Sequence, residues 1–123
     1  MEEKKEDYFR RLSGIQIVDV KDGYAKASLK ITRSHINFTG MAHGGAIFTL
    51  ADCAFAEAAN FGEKRAVAIQ ADINYLRPSM EGDVLTAEAI KISESKKLGL
   101  YHVNIRKEDK LIASFSGRVY RKS

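Results

Sequence analysis

A carboxylate, Asp52, lies in the middle of a run from Ala46 to Ala59 in which apolar side chains predominate. At helical spacing Asp52 falls at the border of one broad apolar face, which comprises Ile47, Leu50, Ala51, Ala54, Phe55 and Ala58. A helix with so little polar surface has to be covered on several sides. Burying a carboxylate is costly unless another group pairs with it or the chemistry uses it. Asp52 is therefore the first candidate for a general base or a nucleophile.

Two adjacent glycines, Gly44 and Gly45, stand at the start of the same run, directly after His43. The first amide N–H groups of a helix have no partner within the helix, and glycine carries no side chain that would shield them. The positive end of the helix dipole attracts developing negative charge. The amide of Gly44 is thus a candidate oxyanion donor, with Gly45 beside it and His43 expected to cap or brace the helix start.

The composition indicates one globular domain over residues 1–123, with 45% hydrophobic and 29% charged residues. The formal net charge of +4 permits an anionic ligand, but basic and acidic residues are interleaved, which argues against nucleic acid as a partner. Asp52 and Glu57 interrupt the longest apolar run, so no membrane span is predicted. A single cysteine excludes an internal disulfide and, with a charged N-terminal stretch unlike a signal sequence, predicts a cytoplasmic protein.

The apolar patterns predict the order helix, two strands, long helix, four strands. Residues 2–13 are expected to form a short amphipathic helix that lies on the body through Tyr8, Phe9 and Leu12. Strands are predicted at residues 15–20, 24–31, 67–76, 83–92, 98–106 and 111–120. The third of these should place on one side Val67, Ile69, Ala71, Ile73 and Tyr75. Because short turns join consecutive strands, the sheet should be antiparallel and curl around the long helix, which gives an α+β class.

Several motifs in the chain resemble those of one family, namely His43-Gly44-Gly45, the helical Leu50-Ala51-Asp52, and the later Leu76-Arg77-Pro78 and Gly82-Asp83. With the element order, they make the chain similar to hotdog-fold proteins and specifically to PaaI-like (phenylacetic acid degradation type) acyl-CoA thioesterases. The resemblance implies a curved antiparallel sheet wrapped around one central helix. It also implies hydrolysis of an aryl- or medium-chain acyl-CoA to CoA and a carboxylic acid. CoA is part of that substrate, so no separate cofactor is implied.

The family places an asparagine seven residues before its oxyanion glycine and an acidic residue eight after it, and Asn37, Gly44 and Asp52 match both spacings. The resemblance implies that the Gly44 amide binds the thioester oxyanion and that Asn37 orients water or the carboxylate. Whether Asp52 attacks the carbonyl carbon or deprotonates water stays open. Some relatives use Ser or Thr on the strand after the helix, where this chain has Gln70, so a supporting role for Gln70 is also open.

The spacing of Gly44 and Asp52 bears on how many protomers one active site needs. Eight helical residues place Asp52 about 12 Å along the axis from Gly44. One helix therefore cannot bring both groups to one carbonyl, and if both act they must come from different protomers. The resemblance implies the same, since hotdog thioesterases pair their helices across a dimer. We expect a homodimer as the minimum unit and a dimer of dimers as the larger assembly.

Basic and aromatic residues near these motifs are candidates for contacts with the two ends of an acyl-CoA. The candidates for its phosphorylated part are Arg77, the adjacent Pro78, Lys96 and Lys97. The candidates for the acyl group are Phe38, Phe48, Phe61 and Tyr75. Solvated surface for the cations and plain core for the aromatic rings are the simpler alternatives.

Two other functions fit the same features. A non-catalytic hotdog protein would sense acyl-CoA in the same pocket, although such regulators usually carry a DNA-binding module that is not evident here. A hotdog hydratase or dehydratase pairs an acid with a histidine, and His43 precedes the helix rather than flanking Asp52. His35 and His102 lack a partner pattern, and Cys53 is expected to be a buried, inert thiol. No metal-ligand spacing occurs in the sequence.

Overall fold

The computed structural model describes residues 5–122, which fold into an antiparallel sheet around one long helix. The helices are α1 (Tyr8–Ser13) and α2 (Gly44–Ala59), and one 3-10 turn, Arg33–His35, precedes α2. The strands are β1 (Gln16–Lys21), β2 (Tyr24–Lys30), β3 (Ala66–Tyr75), β4 (Val84–Glu94), β5 (Leu98–Lys107) and β6 (Lys110–Arg121). Their order across the sheet is β1-β2-β4-β5-β6-β3. None of the helices in this part of the chain has the length and apolar character needed to cross a membrane.

The long helix α2 lies against the inner face of the sheet, as the sequence predicts. All six side chains of the predicted apolar face are buried, namely Ile47, Leu50, Ala51, Ala54, Phe55 and Ala58. Gly117 on β6 allows the closest approach, because a Cβ at that position would come within 2.6 Å of the Phe55 ring. The α+β prediction with a wrapped central helix is therefore confirmed.

Both ends of α2 are fixed by specific hydrogen bonds. His43 is the N-cap, and its Nδ1 accepts from the amide of Gly45 at 2.9 Å. At the other end, Arg121 of β6 donates from its guanidinium to the carbonyl oxygen of Ala59 at 2.9 Å. A helix anchored at both termini holds the groups along it at fixed positions relative to the sheet.

The first hairpin follows the predicted alternation. On β2, the side chains of Ala25, Ala27 and Leu29 are buried beneath α2, and the residues between them face outward. β2 pairs antiparallel with β1 on one side and with β4 on the other. The predicted alternation of buried and exposed side chains holds in β2 because only one face of the sheet contacts the helix.

The prediction for β3 was wrong in one respect. A bulge between Ala68 and Gln70 interrupts the pairing of β3 with β6 and shifts the alternation by one residue. Val67 and Ile69 are consequently 45% and 53% exposed instead of lying on a buried side. β3 is also an edge strand, so within residues 5–122 only β6 forms strand pairing with it.

The prediction for the N-terminal helix was only partly correct. Of the predicted range 2–13, residues 2–4 lie outside the described part, and α1 begins at Tyr8 because Asp7 is its N-cap. Gly14 ends the helix in the left-handed conformation, as expected. The apolar side chains do not pack on the body, since Tyr8, Phe9 and Leu12 are 74%, 62% and 82% exposed.

Candidate active site

The first functional group of the site is the backbone amide of Gly44, which is the first residue of α2. Within residues 5–122 no acceptor takes its N–H, whereas the next amide, that of Gly45, is bound by His43. The carbonyl oxygen of Gly44 accepts a 2.9 Å hydrogen bond from the hydroxyl of Tyr75 at the end of β3. A Cβ at Gly44 would lie 3.1 Å from the Tyr75 ring. Glycine at this position therefore allows the contact with Tyr75 and leaves an unpaired donor at the positive end of a helix.

His43 caps the start of α2, and Asp52 lies nine residues further along the chain. Its Nδ1 accepts from the Gly45 amide, which assigns the ring proton to Nε2 in the neutral form. Its backbone N–H donates to the carbonyl oxygen of His35 at 2.7 Å. The expected capping geometry of His43 is therefore present.

Asn37 holds its own loop through one oxygen. Its Oδ1 accepts from the amide of Thr39 at 2.9 Å, from the Thr39 hydroxyl at 2.7 Å and from the amide of Met41 at 3.2 Å. Three donors on one oxygen fix the orientation of the side chain and leave its Nδ2 to donate elsewhere. The loop-holding alternative for Asn37 is thus realised, and the same geometry leaves a positioned amide donor.

Asp52 lies halfway along α2 on the stripe that the sheet leaves uncovered. Helical spacing places it there with Gly45, Thr49 and Ala56, all small or uncharged. Burial raises the pKa of the Asp52 carboxyl above its usual value, and the negative charge of Asp7 adds to the rise. No hydrogen bond to the carboxylate comes from the described part of the chain. An unpaired, partly desolvated carboxylate of this kind is a suitable base or nucleophile.

A cavity of about 360 Å³ adjoins the N terminus of α2. Its lining brings together four of the predicted site residues, Gly44, Tyr75, Arg77 and Pro78. The other lining residues are Met41, Ala42, Ile47, Leu76 and Ser79. The walls are mostly apolar with a few polar groups, which is the usual character of a small-molecule site.

The remaining predicted contacts lie elsewhere in this protomer. Gln70 donates from its side-chain amide to Asp72 at 3.1 Å, on the face of the sheet away from α2. Phe48 packs edge-on against Phe115, with ring centroids 5.4 Å apart. This contact agrees with the alternative that Phe48 belongs to the core. Neither of these side chains, nor Asp52, belongs to the lining of the cavity.

The outlying aromatic and basic candidates are separate from the cavity as well. Phe38 is fully exposed and Phe61 is 39% exposed. The ammonium group of Lys97 lies 5.8 Å from the centre of the Tyr120 ring, and Lys96 is an exposed residue of the turn before β5. None of the four belongs to the lining of the cavity beside Gly44.

The cysteine and the two histidines that were not predicted to be catalytic are buried or make structural contacts. The Cys53 thiol is buried, and burial raises its pKa to about 12, so it stays protonated and unreactive near neutral pH. The His35 ring bridges the amide of Thr32 and the carbonyl of Ser13, while His102 contacts Asn104. No group of three or more metal-ligating side chains occurs within residues 5–122.

Two features of the site escaped the sequence analysis. The hydrogen bond from Tyr75 to Gly44 joins residues that are 31 positions apart, and no local pattern signals such a contact. Ser79 lines the cavity, and the only available signal was its position directly after the Arg77-Pro78 motif.

An antiparallel sheet around one helix, with an unpaired amide at the helix start and a carboxylate halfway along it, defines a hotdog-fold thioester hydrolase. The chain belongs to the thioesterase superfamily, whose family model matches residues 39–114, and within it to the PaaI-like group.

Individual relatives agree with this assignment. The chain is 38% identical over 109 residues to the acyl-coenzyme A thioesterase PaaI of Escherichia coli, an alignment that covers 88% of this chain and 78% of that protein. The structure of E. coli PaaI superimposes with a TM-score of 0.91, covering 95% of this chain and 86% of that one. A thioesterase structure from Streptococcus pneumoniae TIGR4 with coenzyme A is 25% identical, has a TM-score of 0.83, and covers 89% of each chain.

Proposed function

We propose that this protein hydrolyses acyl-CoA thioesters at active sites shared between the two subunits of a homodimer. The observation that carries the proposal is the division of α2 into two functional parts. The unpaired amide of Gly44 lies beside a cavity, and the unpaired carboxylate of Asp52 lies about two helical turns further along the same rigid helix. A second copy of the chain would supply the half that each protomer lacks.

In the proposed reaction the thioester carbonyl oxygen accepts a hydrogen bond from the amide of Gly44. Attack on the carbonyl carbon converts that oxygen to an oxyanion, and a preorganised donor at a helix N terminus stabilises the developing charge. The apolar walls of the adjoining cavity, such as Ile47 and Leu76, suit the hydrocarbon part of the substrate. The tetrahedral intermediate then expels the CoA thiolate, which leaves the free acid if water attacked and an anhydride with Asp52 if the carboxylate attacked.

Asp52 of the other subunit is proposed to supply the attack. As a base it takes a proton from water, and as a nucleophile it forms a transient anhydride that water then hydrolyses. Both routes require the ionised carboxylate without a competing partner, which matches the surroundings of Asp52. The free Nδ2 of Asn37, fixed by three bonds to its Oδ1, is suited to orient the water or the carboxylate.

The surfaces that each protomer leaves uncovered support a dimer. The long edge strand β3 has open hydrogen-bonding groups along one side and exposes Val67 and Ile69, an arrangement that soluble proteins usually cover. The uncovered stripe of α2 around Asp52 is small and uncharged apart from that carboxylate, as a helix that faces another helix would be. Pairing of two copies along these surfaces would place Asp52 opposite the partner's copy of α2.

Arg77 and two relatives are the basis for proposing that the thioester substrate carries CoA. Arg77 lines the cavity, and its guanidinium has no hydrogen-bond or ion-pair partner in the described chain, so it is free to contact a phosphate or carbonyl oxygen. The E. coli relative is an acyl-coenzyme A thioesterase, and the S. pneumoniae relative holds coenzyme A. The proposed reaction needs only water and the thioester, and no separate cofactor.

Thiol release tests the proposed reaction. The protein is incubated with aryl-acetyl-CoA and with medium-chain acyl-CoA substrates, and free CoA is followed with a thiol reagent, beside an Asp52→Ala variant. Release that disappears in Asp52→Ala is the expected result. Tight binding without release would identify an acyl-CoA sensor instead, and interconversion of enoyl and hydroxyacyl forms without thiol would identify a hydratase.

Mixed dimers test the sharing of the site. Asn37→Asp and Asp52→Asn are each expected to be nearly inactive, but co-expressed subunits form heterodimers in which one of the two sites has both wild-type residues. Random assortment would restore about a quarter of the wild-type sites. If each site lies within one subunit, no combination restores activity, and the shared-site proposal fails.

A further inference from the structure

The hydroxyl of Ser79 is a buried polar group to which the described residues supply no hydrogen-bond partner. Ser79 is 1% exposed and is the only polar residue within residues 5–122 that is buried to this degree. Within the described part of the chain its Oγ has no hydrogen-bond partner, although its backbone carbonyl oxygen accepts from the amide of Ala42 at 2.8 Å. Burying an unsatisfied hydroxyl destabilises a folded protein, so its presence calls for another explanation.

Ser79 is also part of the lining of the cavity beside Gly44. Its neighbours in that lining include the unpaired Gly44 amide and the unpaired Arg77 guanidinium. The walls between them are apolar, formed by residues such as Met41, Ile47 and Pro78. Ser79 therefore adds a third potential donor to the lining of this cavity, and its hydroxyl has no acceptor within residues 5–122.

We propose that Ser79 is a substrate-binding residue that donates a hydrogen bond to a second oxygen of the thioester ligand. The inference rests on the proposed function, in which the Gly44 amide takes the thioester oxygen itself. In an otherwise apolar cavity, a second ligand oxygen would lose its water without replacement unless Ser79 paired with it. Because Oγ is shielded from solvent in the free protein, this bond requires a rotation about χ1, while the bond from Ala42 holds the Ser79 backbone in place.

Two parts of an acyl-CoA can supply such an oxygen, and they share the same chemistry. One is an amide carbonyl of the pantetheine arm, which every acyl-CoA carries. The other is an oxygen substituent on the acyl chain, which only some substrates carry. In the first case Ser79 contributes to binding of all acyl-CoAs, and in the second it selects among them.

The test measures binding by calorimetry with non-hydrolysable thioethers, S-hexyl-CoA and an S-(hydroxyhexyl)-CoA. The Ser79→Ala variant is expected to bind at least one of them between about twofold and tenfold more weakly than wild type, the range for one lost hydrogen bond. Its melting temperature is expected to be unchanged or higher, because the substitution removes an unsatisfied group from the free protein. Ser114→Ala, in which the removed hydroxyl lies 3.5 Å from His102 on the outer face of β6, is the control and should not alter binding.

The pattern of the two affinities identifies the oxygen. Equal weakening for both thioethers supports the pantetheine amide, and weakening for the hydroxylated thioether alone supports the acyl chain. Unchanged affinity for both would overturn the proposal, as would a lower melting temperature with unchanged affinity, which is the result expected for a structural serine. Should Ser79→Ala not fold, Ser79→Cys takes its place, because it preserves the volume but donates only weakly.

The same measurements separate the failure of this inference from failure of the proposed function. Wild-type protein that releases thiol while Ser79→Ala binds normally would contradict only the role of Ser79. Wild-type protein that binds the thioethers through Ser79 but releases no thiol would contradict only the hydrolysis. Absence of binding to both thioethers by wild type would contradict both.

Discussion

The hydroxyl of Tyr75 donates to the carbonyl oxygen of Gly44 at 2.9 Å, so the end of β3 directly fixes the first residue of α2. The Tyr75 ring also lies so close to Gly44 that a Cβ there would come within 3.1 Å of it. The peptide whose amide is proposed to bind the oxyanion is thus positioned by an edge strand of the sheet. The proposed dimer would use that same strand, which couples the assembly of two subunits to the geometry of the oxyanion donor.

Removal of the Tyr75 hydroxyl should impair the reaction more than it impairs folding. Tyr75→Phe keeps the ring that packs on Gly44 and loses the bond to its carbonyl, at a cost of about 1 kcal/mol in the free energy of unfolding. We expect a several-fold lower kcat with a smaller change in KM, because the donor amide is less well positioned in the transition state. Steady-state kinetics and urea denaturation provide the two measurements. An unchanged kcat would show that Tyr75 does not position the Gly44 peptide for catalysis.

Asp52→Asn should abolish activity and stabilise the protein at neutral pH. Burial raises the folded-state pKa of this carboxyl above its unfolded value of about 3.9, so the folded protein holds the proton more tightly. The contribution of this group to the free energy of unfolding is therefore greatest below the unfolded pKa. It is lost as the pH rises through the folded pKa. The amide cannot ionise and avoids that loss. Melting temperatures at pH 7 and near pH 4 should show a gain that shrinks at the acidic pH, and a lower melting temperature at pH 7 would contradict this assignment.

The pH dependence of hydrolysis should follow ionisation of the same carboxyl. Both proposed roles of Asp52 need the ionised form, so kcat/KM is expected to rise with pH and level off once the group is deprotonated. Because burial and the charge of Asp7 raise its pKa, the midpoint should lie above that of an ordinary aspartate. Asp7→Asn should shift the midpoint to lower pH without abolishing activity. A midpoint that Asp7→Asn leaves unchanged would exclude a role for the Asp7 charge.

Asn37→Asp should separate the two functions of this side chain. A carboxylate preserves an oxygen that can accept from Thr39 and Met41, so the loop and its stability should be largely retained. The substitution replaces the free Nδ2 donor by a second acceptor and adds a negative charge near the proposed oxyanion. We expect at least tenfold lower kcat with a melting temperature close to that of wild type. If activity survives in Asn37→Asp but fails in Asn37→Ala, Asn37 serves only to hold its loop.

A charge on the outer edge of β3 should prevent dimer formation. Ile69 is 53% exposed at the β3 bulge, and Ile69→Lys would place an ammonium group on the surface that the second subunit is proposed to cover. The control is Val18→Lys, since Val18 is 57% exposed at the bulge of β1 on the opposite edge of the sheet. Light scattering should show a monomeric, inactive Ile69→Lys protein and an unaltered control. An active monomer would contradict the shared site, whereas larger wild-type species would agree with pairing of dimers.

The sequence predicted the helix and its buried face because these depend on local periodicity. The positions of Ile47, Leu50 and Phe55 on one face follow from the helical repeat, and the hydrophobic effect buries that face whatever covers it. The alternation on β2 was predictable for the same reason. The candidates Gly44 and Asp52 could also be recognised, since each stands out within α2 itself and the family motif adds Asn37.

Features that depend on distant contacts were decided by the tertiary structure. A bulge exposed Val67 and Ile69, because one extra residue reverses the alternation and nothing in the local pattern marks where it is inserted. The side chains of Tyr8, Phe9 and Leu12 stayed exposed, because helical spacing shows which residues share a face of α1 but not whether another part of the fold covers that face.

What the amino-acid sequence determined by itself is the central helix, its buried face and the chemistry placed along it, since these follow from residue type and helical spacing. Only the tertiary structure decided which groups meet at the start of that helix. Tyr75 contacts Gly44, and Ser79 lines the same cavity, because the sheet brings the segment after β3 beside the first turn of α2. Such contacts between residues more than thirty positions apart depend on how the strands pair and pack, which no local repeat encodes.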